Sequence, residues 1–187
     1  MTVMAKEITR ADILDMADYA KVRAEKRRAL VETKRNRRVP LGPYATFYFE
    51  SYETMWQQVH EMLFIERGGE AQIPDELEAY NPLIPQGREL VATMMFEIDN
   101  PVTRKAVLGK LGGVEETVFM RLDGERIVAR AEADVDRTTA DGKASSVQFL
   151  HFEFTDAQAA AFARPGAEVT LGVGHPAYAH MTVLTDA

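Results

Sequence analysis

Apolar and polar positions alternate in two different rhythms along the chain. Before residue 40 the apolar residues are spaced helically among charged ones. Thr9 is placed to cap a helix over 10–17 that carries Ile13, Leu14, Met16 and Ala17. A second helix over 19–36 is rich in Ala, Lys, Arg and Glu. It should stop before Val39-Pro40, because the residue ahead of a proline is pushed out of the helical region. Gly42-Pro43 then turns the chain into a strand over 44–49, with Tyr44, Thr46 and Tyr48 on one face and Ala45, Phe47 and Phe49 on the other. Ser51 caps a helix to about residue 67, whose residues Tyr52, Met55, Trp56, Val59, Met62 and Leu63 share one stripe.

Pro74 suits the first turn of a short helix over 75–80, closed by Pro82 and Pro85. Period-two alternation predicts a strand over 90–98, and Asn100-Pro101 opens a helix to about residue 111, stopped by Gly112-Gly113. Strands over 117–122 and 126–131 flank Asp123-Gly124, a favoured hairpin turn. A polar loop over 134–143 leads to a strand over 147–154. Thr155 and Gln158 form a capping box for a short Ala-rich helix ended by Gly166, and strands over 168–173 and 181–184 complete the sheet. The predicted class is α+β: N-terminal helices followed by a mainly antiparallel β-sheet with short intervening helices. One domain over 1–187 is expected, comprising a basic helical N-terminal arm (1–38) and an acidic α+β body (39–187).

Composition narrows the chemistry. With 187 residues, 46% hydrophobic and 27% charged, the chain can bury a core. It has no cysteine, which excludes disulfides, thiolate metal sites and cysteine nucleophiles. No membrane span or signal-peptide core is visible, so a cytoplasmic protein is expected. The net charge of −7 conceals a cationic segment, 21–38, that holds nine Lys and Arg against Glu25 and Glu32. Those charges point in many directions round a helix, no aromatics interleave to stack bases, and the rest of the chain is acidic. Nucleic-acid binding through 21–38 is therefore the less favoured of its readings.

The helix after Ser51 carries the most informative polar residues. Glu66 falls in the apolar stripe near the negative end of the helix, where a carboxylate needs a cation, donors, a proton or a metal unless the helix end lets it reach water. Gln58 and Glu61, three residues apart, could meet round one ligand or face solvent. Phe64 lies on the polar back face with Glu53, Gln57 and His60, so a second element or a partner should cover it. His60, His151, His175 and His180 match no zinc spacing, and no metal site is expected from the pattern. His175-Pro-x-Tyr178 reads as a turn between strands that brings together a titratable ring and an aromatic one. The bland reading has the His175 ring bonding a backbone carbonyl. Ser145-Ser146 lacks the glycines of a nucleophile elbow, and no phosphate-binding glycine motif is present.

A set of short motifs adds a family resemblance: Val39-Pro-Leu-Gly-Pro43, Phe49-Glu50, Thr54 with Gln58-x-x-Glu61-Met-Leu63 and Glu66, Tyr80-Asn-Pro-Leu-Ile-Pro85, Ala92-Thr93, Ser146-Val-Gln-Phe-Leu150 and His175-Pro-x-Tyr178. In this order, and over 8–184, they resemble the DUF3501 family of uncharacterised bacterial proteins. The family has no established activity, so the resemblance supplies no mechanism and leaves any cofactor unknown. It implies a redox or oxidative-stress setting, since relatives are encoded near rubrerythrin-like and iron–sulfur proteins. It points to Glu50, Gln58, Glu61, Glu66, Tyr80, Asn81, His175 and Tyr178 as a candidate pocket. Gln148 stands where the family has a basic or histidine residue.

Three functional readings follow. The first is a non-catalytic accessory or ligand-binding protein with a redox-pathway protein partner, or a homo-oligomer through the Phe64 face. The second is an enzyme or metal-dependent binder that gathers Glu61, Glu66, Tyr80, Asn81 and His175. The third is nucleic-acid binding through 21–38.

Overall fold

A computed structural model of the chain describes residues 6–133, 138–140 and 142–185. Contacts divide these residues into two compact units. The helical unit comprises the described part of Met1–Arg37 together with Glu50–Gly87. The β unit comprises Arg38–Phe49 and the described part of Arg88–Ala187. The α+β class is the one expected.

The helical unit is built on α1 (Met16–Arg35), α2 (Tyr52–Glu66) and α3 (Ile73–Tyr80). The helix expected over 10–17 is not formed. A single 3₁₀ turn covers Arg10–Asp12, Ile13 is extended, and α1 starts afresh from the Asp15 side chain, which accepts from the Ala17 amide. Burial explains the break: Ile13 is inside, and the Leu14 amide donates to His60 Nε2 at 3.1 Å. That bond takes the Leu14 amide out of any helical ladder. Helix α2 begins where expected, with Ser51 and Thr54 as its capping box, and ends at Arg67 in the left-handed region. Helix α1 runs antiparallel to α2, since Tyr19 meets His60 whereas Lys26 meets Trp56.

The β unit holds two antiparallel sheets. The first contains β1 (Arg38–Leu41), β2 (Ala45–Phe49), β3 (Glu89–Phe96), β7 (Val147–Glu153) and β6 (Arg130–Ala131), in the order β1-β2-β3-β7-β6. The second contains β4 (Val118–Leu122), β5 (Glu125–Val128), β8 (Val169–His175) and β9 (Tyr178–Val183), in the order β5-β4-β8-β9. One apolar core joins them, with Phe47, Ala92, Met94, Leu150 and Phe152 from the first sheet and Met120, Leu171 and Val173 from the second. Short helices α4 (Pro101–Leu108) and α5 (Asp156–Phe162) open on the expected Asn100 and Thr155 caps.

Three expectations for the β unit are corrected. The helix stops before Val39-Pro40 as expected, but 38–41 then form an unexpected strand, β1, where Pro40 is tolerated because β1 is an edge strand. The segment expected as one strand over 126–131 splits at Ala129, so that β5 pairs with β4 in one sheet and β6 with β7 in the other. The turn expected over 174–178 shrinks to Pro176-Ala177, and His175 and Tyr178 become the last paired residues of β8 and β9. Residues 134–137 and 141 of the expected polar loop lie outside the described residues. Within the rest of it, Thr138 bridges Ala144.

Candidate functional site

Helix α1 presents Tyr19, Arg23, Lys26, Leu30 and Thr33 at alternating steps of four and three, a spacing that keeps them on one face. That face meets the side of α2 that carries Gln57, His60 and Phe64. The second element required over Phe64 is therefore α1: the Tyr19 ring lies 5.9 Å from Phe64, and the Arg23 guanidinium lies 4.7 Å above it.

Between the two helices runs a continuous polar network. The Tyr19 hydroxyl donates to Glu61 at 2.7 Å, and Gln57 Nε2 donates to that same hydroxyl. Arg23 grips both Glu61 oxygens through Nε and Nη2, each at 2.8 Å. The bidentate Arg23, helped by the Tyr19 hydroxyl, outweighs burial and lowers the Glu61 carboxyl to about 2. Burial, and after it the neighbouring Glu61 carboxylate, raises the Tyr19 phenol. His60 is fully buried, with Nδ1 on the Trp56 carbonyl at 2.7 Å and Nε2 accepting from Leu14. These bonds specify the neutral Nδ1-protonated ring, and burial lowers its pKa in the same sense. Every hydrogen-bonding valence of the ring is used.

Next to the network, a groove of about 360 Å³ opens between α1 and α2, lined by Lys26, Leu30, Thr33, Tyr52, Glu53 and Trp56 among others. Trp56 is held edge-in by its indole N–H, which donates to the Asp12 carbonyl at 2.9 Å, and the Lys26 ammonium sits 5.5 Å above its ring. Trp56 also packs on His60, with ring centroids 3.7 Å apart, and the groove offers this ring and an apolar wall, with a cation at one side and a carboxylate, Glu53, at another. Glu53 is held below the usual carboxylate range by its own amide and the Ser51 hydroxyl.

The other residues marked in the sequence have separate partners. Gln58 reaches the Tyr80 hydroxyl at 3.4 Å, so these two come together. Gln58 and Glu61 engage different elements. Glu66 is exposed at the end of α2 and accepts from Gln72 at 2.8 Å, so of the readings open to it, access to water is the one realised. Glu50 is buried and accepts from the Thr54 hydroxyl at 2.6 Å. Asn81 clamps the Ile8 backbone, accepting from its amide at 2.8 Å and donating to its carbonyl at 2.9 Å.

In the β unit, the Tyr178 hydroxyl donates to the Leu41 carbonyl at 2.6 Å and accepts from the Tyr44 and Ala45 amides, which locks the β1–β2 turn. Its ring packs on His180, Phe96 and Tyr44. His175 Nδ1 accepts from the Ala177 amide at 3.2 Å, so the ring bonds a backbone N–H and not the carbonyl expected.

Several polar residues of weight escaped the sequence reading. Arg23 and Lys26 were legible only as part of a basic run and Tyr19 only as the start of its helix, although their spacing was a usable sign of one shared face. His151 carries one carboxylate on each ring nitrogen, Glu89 at 3.0 Å and Glu132 at 2.5 Å. Its partners are 62 and 19 residues away, so no local spacing announces them. Among the described residues no group of three or more His, Asp or Glu side chains is arranged to hold a metal ion. Nor is any helix among them long and apolar enough to cross a membrane.

Comparison with known proteins adds kinship without an activity. The chain is similar to a solved structure described as a novel protein of unknown function from Burkholderia pseudomallei K96243. The two share 37% identity and a TM-score of 0.88, over 96% of this chain and 94% of that one. No curated protein matches the chain. The family model of DUF3501, a protein of unknown function, matches residues 7–187, and the chain belongs to that family.

Proposed function

We propose that the protein is a non-catalytic, ligand-binding accessory protein, and that the α1–α2 groove takes a small molecule with a flat aromatic or apolar body and an anionic group. The observation that carries this reading is the groove itself. Trp56 supplies a stacking face, Leu30 and Tyr52 supply apolar contact, and Lys26 supplies a cation beside the ring. A non-catalytic role is supported by the state of the groups best suited to acid–base work. Glu61 is held ionised by Arg23 and Tyr19, and both His60 nitrogens are bonded within the protein. The pathway we propose is the redox or oxidative-stress setting that the family resemblance implies, with a protein of that pathway as partner.

Trp56 is the single tryptophan of the chain, so its fluorescence reports on the groove alone. Titration with small aromatic carboxylates such as benzoate and indole-3-acetate should change it saturably. Lys26→Ala should weaken binding about tenfold by removing the charge partner. A flat response across the panel from protein that melts cooperatively would remove the reading.

A further inference from the structure

We infer that the outer face of the sheet β5-β4-β8-β9 is a docking surface for an acidic segment of a partner protein, whose carboxylates sit on Arg121 and Arg126. Strand β4 turns Val118, Met120 and Leu122 into the core and Phe119 and Arg121 to the other side. Pairing extends that outer side across the sheet. Val128, Phe119, Gly172 and Met181 form one row, and Arg126, Arg121, Thr170 and Val183 form the next.

Three features of these rows point to a missing anion. Arg121 and Arg126 are direct cross-strand partners, and like charges placed opposite one another destabilise a sheet. Neither arginine has an ion-pair partner among the described residues. Both guanidiniums are instead parked on one ring, at 4.0 Å (Arg126) and 5.5 Å (Arg121) from the Phe119 centroid. The second feature is beneath that ring. Phe119 lies so low over Gly172 that a Cβ there would come within 2.5 Å of it, so the platform under the two cations is fixed by the backbone. The third is Thr170, the register partner of Arg121, whose hydroxyl oxygen is buried without a hydrogen-bond partner.

The flanks decide what kind of anion fits. Val128, Met181 and Val183 are large apolar side chains exposed on the same face. An inorganic ion or a nucleic-acid backbone would leave these side chains in water. A segment that alternates acidic and apolar residues covers both, with carboxylates on the arginines and apolar groups on the flanking residues.

The probe is a capped hexapeptide of alternating Glu and Val, titrated into the full chain at low salt and followed by calorimetry. Arg121→Met and Arg126→Met remove the charge while leaving an apolar stem over Phe119. Binding is expected, weakened about tenfold or more by either substitution and by replacing Glu with Gln in the peptide. Both variants should melt no lower than the parent. Failure of the peptide to bind overturns the proposal. So does inorganic phosphate that binds as tightly as the peptide and displaces it, which would make the face a simple anion site. A dimer in sizing experiments that dissolves with Arg126→Met would put a second copy there instead and overturn it as well.

Discussion

The two units differ in how completely their buried polar groups are bonded, although the β unit too has bonded ones at His151 and the Tyr178 hydroxyl. In the helical unit such groups lie in the middle of the helix–helix contact, where Tyr19, Gln57, His60 and Glu61 bond one another, Arg23 or the backbone. None of its described buried side-chain nitrogens or oxygens lacks a partner. In the β unit the centre is hydrocarbon, while a buried oxygen of Glu115 and another of Thr170 go unpartnered, and Arg121 faces Arg126. The lesson concerns where to look for function. A saturated network fixes how two helices pack and leaves ligand contact to the groove beside it, whereas unspent hydrogen-bonding and charge capacity on a sheet face invites a partner directly.

The sharpest way to break this comparison is to perturb each interior. Phe47 is fully buried in the β unit, so Phe47→Ala should cost about 3–5 kcal/mol in denaturant unfolding, with little dependence on pH. Tyr19→Phe removes one oxygen from the other interior and leaves Glu61 and Gln57 short of a partner. A loss of about 1–3 kcal/mol is expected, and it should be non-additive with Glu61→Gln. Additivity there would mean that the network is a set of independent contacts.

Acid should separate the units next. The folded Glu61 carboxyl is held at about 2 against an ordinary 4.5. Its contribution is therefore complete above about pH 4.5 and is lost as pH falls towards 2, and screening at the helix surface limits it to about 1–2 kcal/mol. Unfolding at pH 6 and pH 3, compared between the parent and Glu61→Gln, isolates this part: the difference between the two proteins should shrink in acid. The smallest effect belongs to the unpaired arginines. Arg126→Met should change stability by no more than about 0.5 kcal/mol, and upward at low salt.

Much of the secondary structure was legible because its signals are local. The Ser51, Asn100 and Thr155 caps and the Asp123-Gly124 turn all stand where their residues announce them. What escaped depends on distant partners. Ile13 and Leu14 look helical until His60, 46 residues on from Leu14, takes the amide a helix would use. Strand β1 was hidden by Pro40, which only an edge position tolerates, and the break at Ala129 appears only once two sheets compete for one strand. The candidate site was half legible. Glu61 was found on α2, but its partners on α1 were not: Arg23 lay in what read as a solvated basic run, and Tyr19 stood just ahead of it. Glu66 drew attention through its place in the apolar stripe, but it is the last residue of α2, where the left-handed Arg67 ends the helix and the carboxylate reaches water.

The central claim, that the α1–α2 groove binds an aromatic anion, is tested most directly by amide and indole chemical-shift mapping during titration with indole-3-acetate. Shifts should concentrate at 26–33 and 52–57 and at the Trp56 indole N–H. Shifts confined to other residues, or none at saturating ligand, would contradict it.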